Sequence, residues 1–156
     1  MTPRARPYAA PDREDCLALF DGNVPQFFAP EERQEFAEFL DALPECGTEG
    51  TYLVLEEAGR ILACGGLALD GSGQQASLCW GMVARAHQGK GLGRALTKAR
   101  LARARVLPGI ERVHLATSQH TAGFYAGFGF AVTTVVPDGF GPGLDRCEMV
   151  LALSRP

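Results

Sequence analysis

Gln88, Gly89, Lys90, Gly91, Leu92, Gly93 and Arg94 stand in one row inside "VARAHQGKGLGRALTKAR", Val83 to Arg100. Each glycine weakens a regular element by roughly 0.5–1 kcal/mol relative to alanine, yet strong helix formers follow at once. A side-chain-free turn that feeds a helix leaves several backbone N–H groups unpaired and aimed at one point. Such a point attracts an anion, most often a phosphate, and the helix dipole adds its share. Lys90 and Arg94 either add charge there or stand as solvated helix residues, while His87 shapes the turn.

Two well-known phosphate loops do not fit. A Walker A loop needs G-x-x-x-x-G-K followed by Ser or Thr; here Gly91 follows Gly89-Lys90 and Ala84 takes the first glycine position. The hydroxyl that would hold magnesium is missing. A dinucleotide turn needs G-x-G-x-x-G directly between strand and helix. Here the spacing is G-x-G-x-G, "ARAH" separates it from the preceding strand, and Glu111 starts a strand rather than ending one.

The elements around the turn alternate. "PDREDCLALFDGN" reads as a helix that Asp12 caps, with Asp15 in a capping-box position. "PEERQEFAEFLDAL" is a second, with Phe36, Phe39, Leu40 and Leu43 at helical spacing. "TYLVLEEAGRILACGGLALD" predicts a hairpin about Ala58-Gly59, and "ASLCWGMV" a further strand. The helix after the glycines runs to about Val106 and closes at Pro108-Gly109. "RVHLATS" is a strand, "TAGFYAGFG" a short helix, and "FAVTTVV" and "DRCEMVLAL" are two last strands. The fold class is α/β (α+β), a central mixed sheet with helices on its faces.

Composition narrows the function classes. A chain of 156 residues predicts one domain, 1–156. With 46% hydrophobic and 21% charged residues it reads as an ordinary globular protein. No apolar run approaches the ~20 residues that span a bilayer, and the N-terminus has no apolar signal core. A net charge of −3 argues against nucleic acid. Lys98, Arg100, Arg103 and Arg105 form a basic helix face without interleaved aromatics, expected to be a solvated face. Five widely spaced cysteines without a C-x-x-C pair suggest neither a zinc site nor a disulfide framework, and point to reduced thiols in a cytoplasmic setting.

The pattern Gln/Arg-x-x-Gly-x-Gly/Ala, met by Gln88, Gly91 and Gly93, resembles the acetyl-CoA-binding motif of the GNAT superfamily of N-acetyltransferases. "LCWGMVARAHQGKGLGRAL" resembles that family's strand–loop–helix core. "TSQHTAGFYAGFGF" resembles its second signature, and "DRCEMVLAL" its last strand. The resemblance implies the GNAT fold: a mostly antiparallel twisted sheet flanked by helices on both faces, with a V-shaped cofactor slot between the fourth and fifth core strands. It implies acetyl-CoA as cosubstrate, without a metal. The amides of Gln88, Gly89, Lys90, Gly91, Leu92, Gly93 and Arg94 would hold its pyrophosphate, and the backbone of Met82 and Val83 its pantetheine arm. Gly81 fits a bulge in that strand.

By the same resemblance an amine attacks the acetyl thioester directly. Tyr125 matches the family position whose phenol faces the sulfur, and would act as general acid. A backbone N–H near Met82 would polarise the carbonyl. Ser118 stands where the family often has asparagine, and its hydroxyl can still bond the cofactor arm. The strand "SLCWGMV" lacks the glutamate that many members use as base, so the base is either His120 or ordered water. The acceptor pocket would be built from "FDGNVPQFFAP" and "VVPDGFGPGLDR", with Asn23, Phe27, Phe28, Asp138, Asp145 and Arg146 as candidates beside Phe140. An acid there could hold a cationic amine, and Arg146 could fork onto a carboxylate. The expected activity is acetylation of a primary amine of a small molecule or amino acid. An acyl-CoA sensor and a protein or peptide acetyltransferase are the alternatives. Nucleic acid and membrane are not expected as partners, and a homodimer is compatible with the sequence.

Overall fold

The structure, a computed structural model, describes residues 3–24, 28–43 and 51–153. Contacts cluster into two compact units, Met1–Leu67 with Cys79–Arg103 and Ala68–Leu78 with Ala104–Pro156.

In the first unit β1 (Arg4–Pro7) pairs antiparallel with β2 (Tyr52–Glu57), and β2 with β3 (Arg60–Leu69). The β2–β3 turn is the predicted one: Ala58 and Gly59 have φ of 52° and 79°. Two positive φ values at the centre of a two-residue loop match the right-handed twist of the flanking strands. β4 (Gln75–Val83) follows beside β3, and just past its end Ala84 N–H donates to Leu62 O at 2.7 Å. Tyr52 to Leu55 and Leu62 to Leu67 are buried without interruption, because helices cover both faces of these strands. On one face α1 (Arg13–Gly22) and α2 (Glu32–Ala42) set Phe20, Phe36 and Leu40 against Tyr52, Val54, Cys64 and Met82. On the other α3 (Leu92–Val106) sets Leu92 and Leu96 against Leu55, Leu62 and Ala63. Each such burial contributes about 1.5–3 kcal/mol.

β1 was not expected from sequence, and it changes how α1 begins. Asp12 does not cap α1. Its carboxylate accepts instead from Arg6 Nη1 and Nη2 at 2.8 and 2.9 Å and from Ala9 N–H at 2.9 Å. A forked guanidinium on one carboxylate is stronger than a single amide bond. Arg6 also donates to Glu56 at 2.7 Å, which ties β1 to β2.

In the second unit β4 begins alongside β5 (Arg112–Thr117), with Gln75, Ala76 and Ser77 parallel to Arg112, Val113 and His114. A parallel neighbour needs a crossover, and α3 supplies it. β5 pairs antiparallel with β7 (Leu144–Ala152), and β7 with β6 (Ala131–Gly141). Val113 faces Leu151, Leu115 faces Met149 and Thr117 faces Cys147, so one side of β5 and β7 is apolar. α4 (Ala122–Ala126) lies between β5 and β6 in the chain. β6 runs five residues further than the sequence predicts. Asp138 at φ 56° and a register shift between Val136 and Gly141 let pairing resume at Gly141–Leu144, so the expected long loop shrinks to a hairpin tip. The strands form one sheet in the order β1-β2-β3-β4-β5-β7-β6, a mixed, mostly antiparallel seven-stranded sheet flanked by helices. Among the described residues no helix is long and apolar enough to cross a membrane.

Candidate active site

β4 ends at Val83, a 3-10 turn spans Arg85–His87, and the glycine row follows. Gly89 and Gly91 have φ of 81° and 83°, the left-handed region that side chains disfavour, and nothing lies within 4 Å of where a Cβ would be. α3 opens at Leu92, and Ala95 N–H donates to Gly91 O at 3.0 Å. The amides ahead of Ala95 have no carbonyl a turn earlier within the helix, so they point out of its end. Lys90 and Arg94 are exposed beside them, and Gly93 lies in the first helical turn. Open backbone, a helix N-terminus and two cations fit the pyrophosphate of a coenzyme A thioester. His87 N–H closes the preceding turn on Ala84 O, and the ring lines an open cleft of about 390 Å³ with Arg60, Arg85 and Asp15.

The exposed Gln88 side chain reaches back to the ends of α1 and β4. Its Nε2 donates to Asn23 Oδ1 at 2.8 Å and to Val83 O at 3.3 Å. Asn23, 2% exposed, donates in turn to Leu19 O at 2.8 Å and Val83 O at 3.0 Å. Asn23, predicted for the acceptor side, thus clamps the end of α1 to the end of β4 and to the turn. Phe28 is half-buried and stacks on Phe20 at 4.9 Å and Trp80 at 6.0 Å. Phe27 lies outside the described residues.

Just before Met82, β4 departs from regular strand geometry, and the positive φ is at Trp80 (43°) rather than at Gly81. The Tyr52 hydroxyl donates to Trp80 O at 2.8 Å, and burial holds that phenol well above its usual pKa, so it stays a donor. Phe36 packs on the Trp80 ring at 5.1 Å. Met82 is buried in the core and Val83 is half-buried, with its carbonyl engaged by Asn23 and Gln88. Gly81 serves close packing: a Cβ there would lie 2.9 Å from Arg100 Nη1. Arg100 is 4% exposed, which corrects the expectation of a solvated basic face. It lies on the stripe of α3 that carries Leu96 inward, whereas Lys98 and Arg105 are exposed as expected. Gly65 and Gly81 provide the space that draws it in, a signal in β3 and β4 rather than in α3.

In the second unit Tyr125 is half-buried in α4, edge-on to Phe124 at 5.1 Å and Phe130 at 6.0 Å. Its hydroxyl has no hydrogen-bond partner among the described residues. Ser118 shapes the start of α4: its Oγ accepts from His120 N–H at 3.2 Å and its carbonyl from Thr121 and Ala122. His120 is exposed. At the hairpin tip Asp138 Oδ1 accepts from Gly143 N–H at 2.7 Å, and Asp145 Oδ1 from Asp138 N–H at 3.0 Å. Gln119 bridges onto the same tip through Asp145 N–H and Gly143 O. Arg146 pairs with Glu148 and lies over the Phe140 ring at 5.7 Å. Sequence reasoning missed the half-buried pair of His114 Nε2 and Glu148 Oε2, 3.0 Å apart on neighbouring strands. Only the β5–β7 register, which spacing along the chain does not carry, brings the two together. Among the described residues no group of three or more His, Cys, Asp or Glu could hold a metal.

Solved structures with this fold are numerous. A Salmonella typhimurium protein, yncA, solved with its cofactor acetyl-CoA, is 23% identical and superposes with a TM-score of 0.80 over 100% of this chain and 96% of its own. The spermidine/spermine N-acetyltransferase SpeG of Vibrio cholerae is 18% identical, with a TM-score of 0.76 over 97% and 92%. The ribosomal-protein-alanine N-acetyltransferase of Brucella melitensis is 20% identical, with a TM-score of 0.79 over 96% and 99%. No curated protein matches the sequence significantly. The acetyltransferase (GNAT) family model matches residues 16–130, from α1 across the glycine turn to the end of the α4 segment, and the chain belongs to that family.

Proposed function

We propose that this acetyltransferase moves an acetyl group from acetyl-CoA to a primary amine of a small molecule or amino acid. The observation that carries the cofactor is the glycine turn, where two residues at positive φ clear the approach to the N-terminus of α3. Acetyl-CoA supplies an activated acyl thioester. The chain's own groups do the rest: the amides from Gln88 to Arg94 hold the diphosphate, and the backbone at Met82 and Val83 aligns the arm. Tyr125 protonates the departing thiolate, and Ser118 steadies the arm. A neutral amine is needed for attack, and His120 or an ordered water takes its proton.

For the acceptor, Asp138 and Asp145 each commit one carboxylate oxygen to the hairpin's own amides. The other oxygen of each is left to attract a cationic amine. This supports a small basic or zwitterionic acceptor.

Gly91→Val tests the cofactor site. A β-branched residue at φ 83° is strained and puts bulk where the phosphate would approach. Acetyl-CoA affinity measured by calorimetry on folded variant should fall at least about tenfold, or 1.4 kcal/mol. Wild-type affinity would refute the pyrophosphate assignment. Thiol release with panels of small amines and of peptides then identifies the acceptor class, and peptides outperforming every small amine would refute the small-molecule reading.

A further inference from the structure

Arg100 is a buried charge that the site described so far does not use. It is 4% exposed, and its Nε has no hydrogen-bond partner among the described residues. Among them it makes no ion pair either. A guanidinium stays protonated in proteins, so this is a cation removed from water without a carboxylate among the described residues to offset the cost. Two glycines make the room. A Cβ on Gly81 would lie 2.9 and 3.0 Å from the two terminal nitrogens, and one on Gly65 would lie 3.2 Å from Nη1. The nearby Cys79 supplies no counter-charge: burial pushes its thiol up to about 11 although Arg100 pulls the other way.

The guanidinium therefore lies against the β4 backbone at Gly81, between Trp80, whose carbonyl is pinned by Tyr52, and Met82. Under the function proposed above, on which this inference rests, that is the backbone that receives the acyl thioester. Attack by a neutral amine forms the C–N bond and breaks the C–S bond. Negative charge passes to the carbonyl oxygen and then to sulfur, the amine's proton goes to the base, and the thiolate takes a proton from the acid. Fixed positive charge close to developing negative charge lowers such a barrier. We propose that Arg100 is a positioning residue for acetyl transfer, a fixed cation laid under the Trp80–Met82 segment that stabilises this charge through the β4 backbone without touching substrate.

Three variants separate charge from packing. Arg100→Met keeps most of the side chain's length and removes its charge, and Arg100→Lys keeps the charge. Gly81→Ala places a methyl group where the terminal nitrogens lie, a clash that the flexible end of an arginine can escape. For each, the melting temperature without ligand, the acetyl-CoA affinity by calorimetry and kcat at saturating acetyl-CoA are measured. Arg100→Met should melt at the wild-type temperature or above it, because an uncompensated buried charge is gone. It should keep acetyl-CoA affinity within about threefold and lose at least about tenfold in kcat, or 1.4 kcal/mol. Lysine should restore most of that loss, and Gly81→Ala should lower kcat at unchanged acetyl-CoA affinity. A lowered melting temperature with equal losses for methionine and lysine would make Arg100 a packing residue and overturn the proposal. A kcat for Arg100→Met within about twofold of wild type would overturn it as well. Wild-type protein that binds no acetyl-CoA overturns the proposed function and this inference together; wild type that binds and turns over, matched by Arg100→Met, overturns the inference alone.

Discussion

Tyr125 presents a hydroxyl without a hydrogen-bond partner among the described residues, on a ring that Phe124 and Phe130 hold edge-on. A phenylalanine would make the same ring contacts. Tyr125→Phe should therefore keep the fold and acetyl-CoA affinity and lower kcat about 100-fold, the loss expected when a general acid is removed. Turnover close to wild type under conditions where chemistry limits the rate would assign the ring to packing. The glycine row with Gln88 and the Tyr125 segment stand out in the sequence as candidates because each is a short, local pattern. Arg100 was not legible. A charged residue on a helix reads as solvated, and what buries it is the absence of side chains at Gly65 and Gly81 on two other elements. Asn23 was visible as a candidate, but its contacts with Val83 O and Gln88 depend on where α1 ends against β4.

Turns and helix starts follow the same division between local and distant causes. The β2–β3 hairpin was readable because its two-residue loop fits the twist of the strands, yet Ala58 carries a Cβ at φ 52°. Left-handed backbone costs an L-residue roughly 1–2 kcal/mol, a penalty glycine escapes. Part of that gain is returned as greater freedom in the unfolded chain. Ala58→Gly should raise the urea midpoint by a net of roughly 0.5–1 kcal/mol in stability with the m-value unchanged, and a lowered midpoint would contradict the strain assigned to this turn. β1 could not be read, because four residues with two arginines and a proline carry no apolar strand signal, and only pairing with β2 makes them a strand. The extended β6 escaped notice for a related reason: "PDGFG" has the composition of a loop, and strand pairing resumes only after a bulge.

At the scale of the whole molecule, one contribution to the pH response lies at the N-terminal end. Arg6 hydrogen-bonded to Asp12 is the main reason the Asp12 carboxyl titrates below 3.8, assisted by the Ala9 amide and opposed by burial. A carboxylate with a depressed folded pKa stabilises the fold above its unfolded value, near 3.9, and loses that contribution as pH falls through the folded value. Asp12→Asn should cost about 1.5–3 kcal/mol at neutral pH, the range for hydrogen bonds to charged groups. It should also flatten the dependence of stability on pH below about 4. Urea titrations of both proteins at neutral and acid pH provide the check; parallel curves would mean that Asp12 is not the linked group. The succession of elements and a mixed sheet were legible from their alternation, apart from β1, whereas the placing of β7 between β5 and β6 rests on pairing distant in sequence.

β6 is the last strand of the sheet, its residues 131 to 140 are all exposed, and Val132, Val135 and Val136 are bare. A naked β edge is a template on which further chains can stack. This one contains Pro137, which has no N–H to offer, followed by Asp138 at a positive φ and a broken register. This interruption limits the unbroken ladder open to an incoming strand to the residues before the proline. That interrupted edge lies in β6, remote in sequence from the glycine turn.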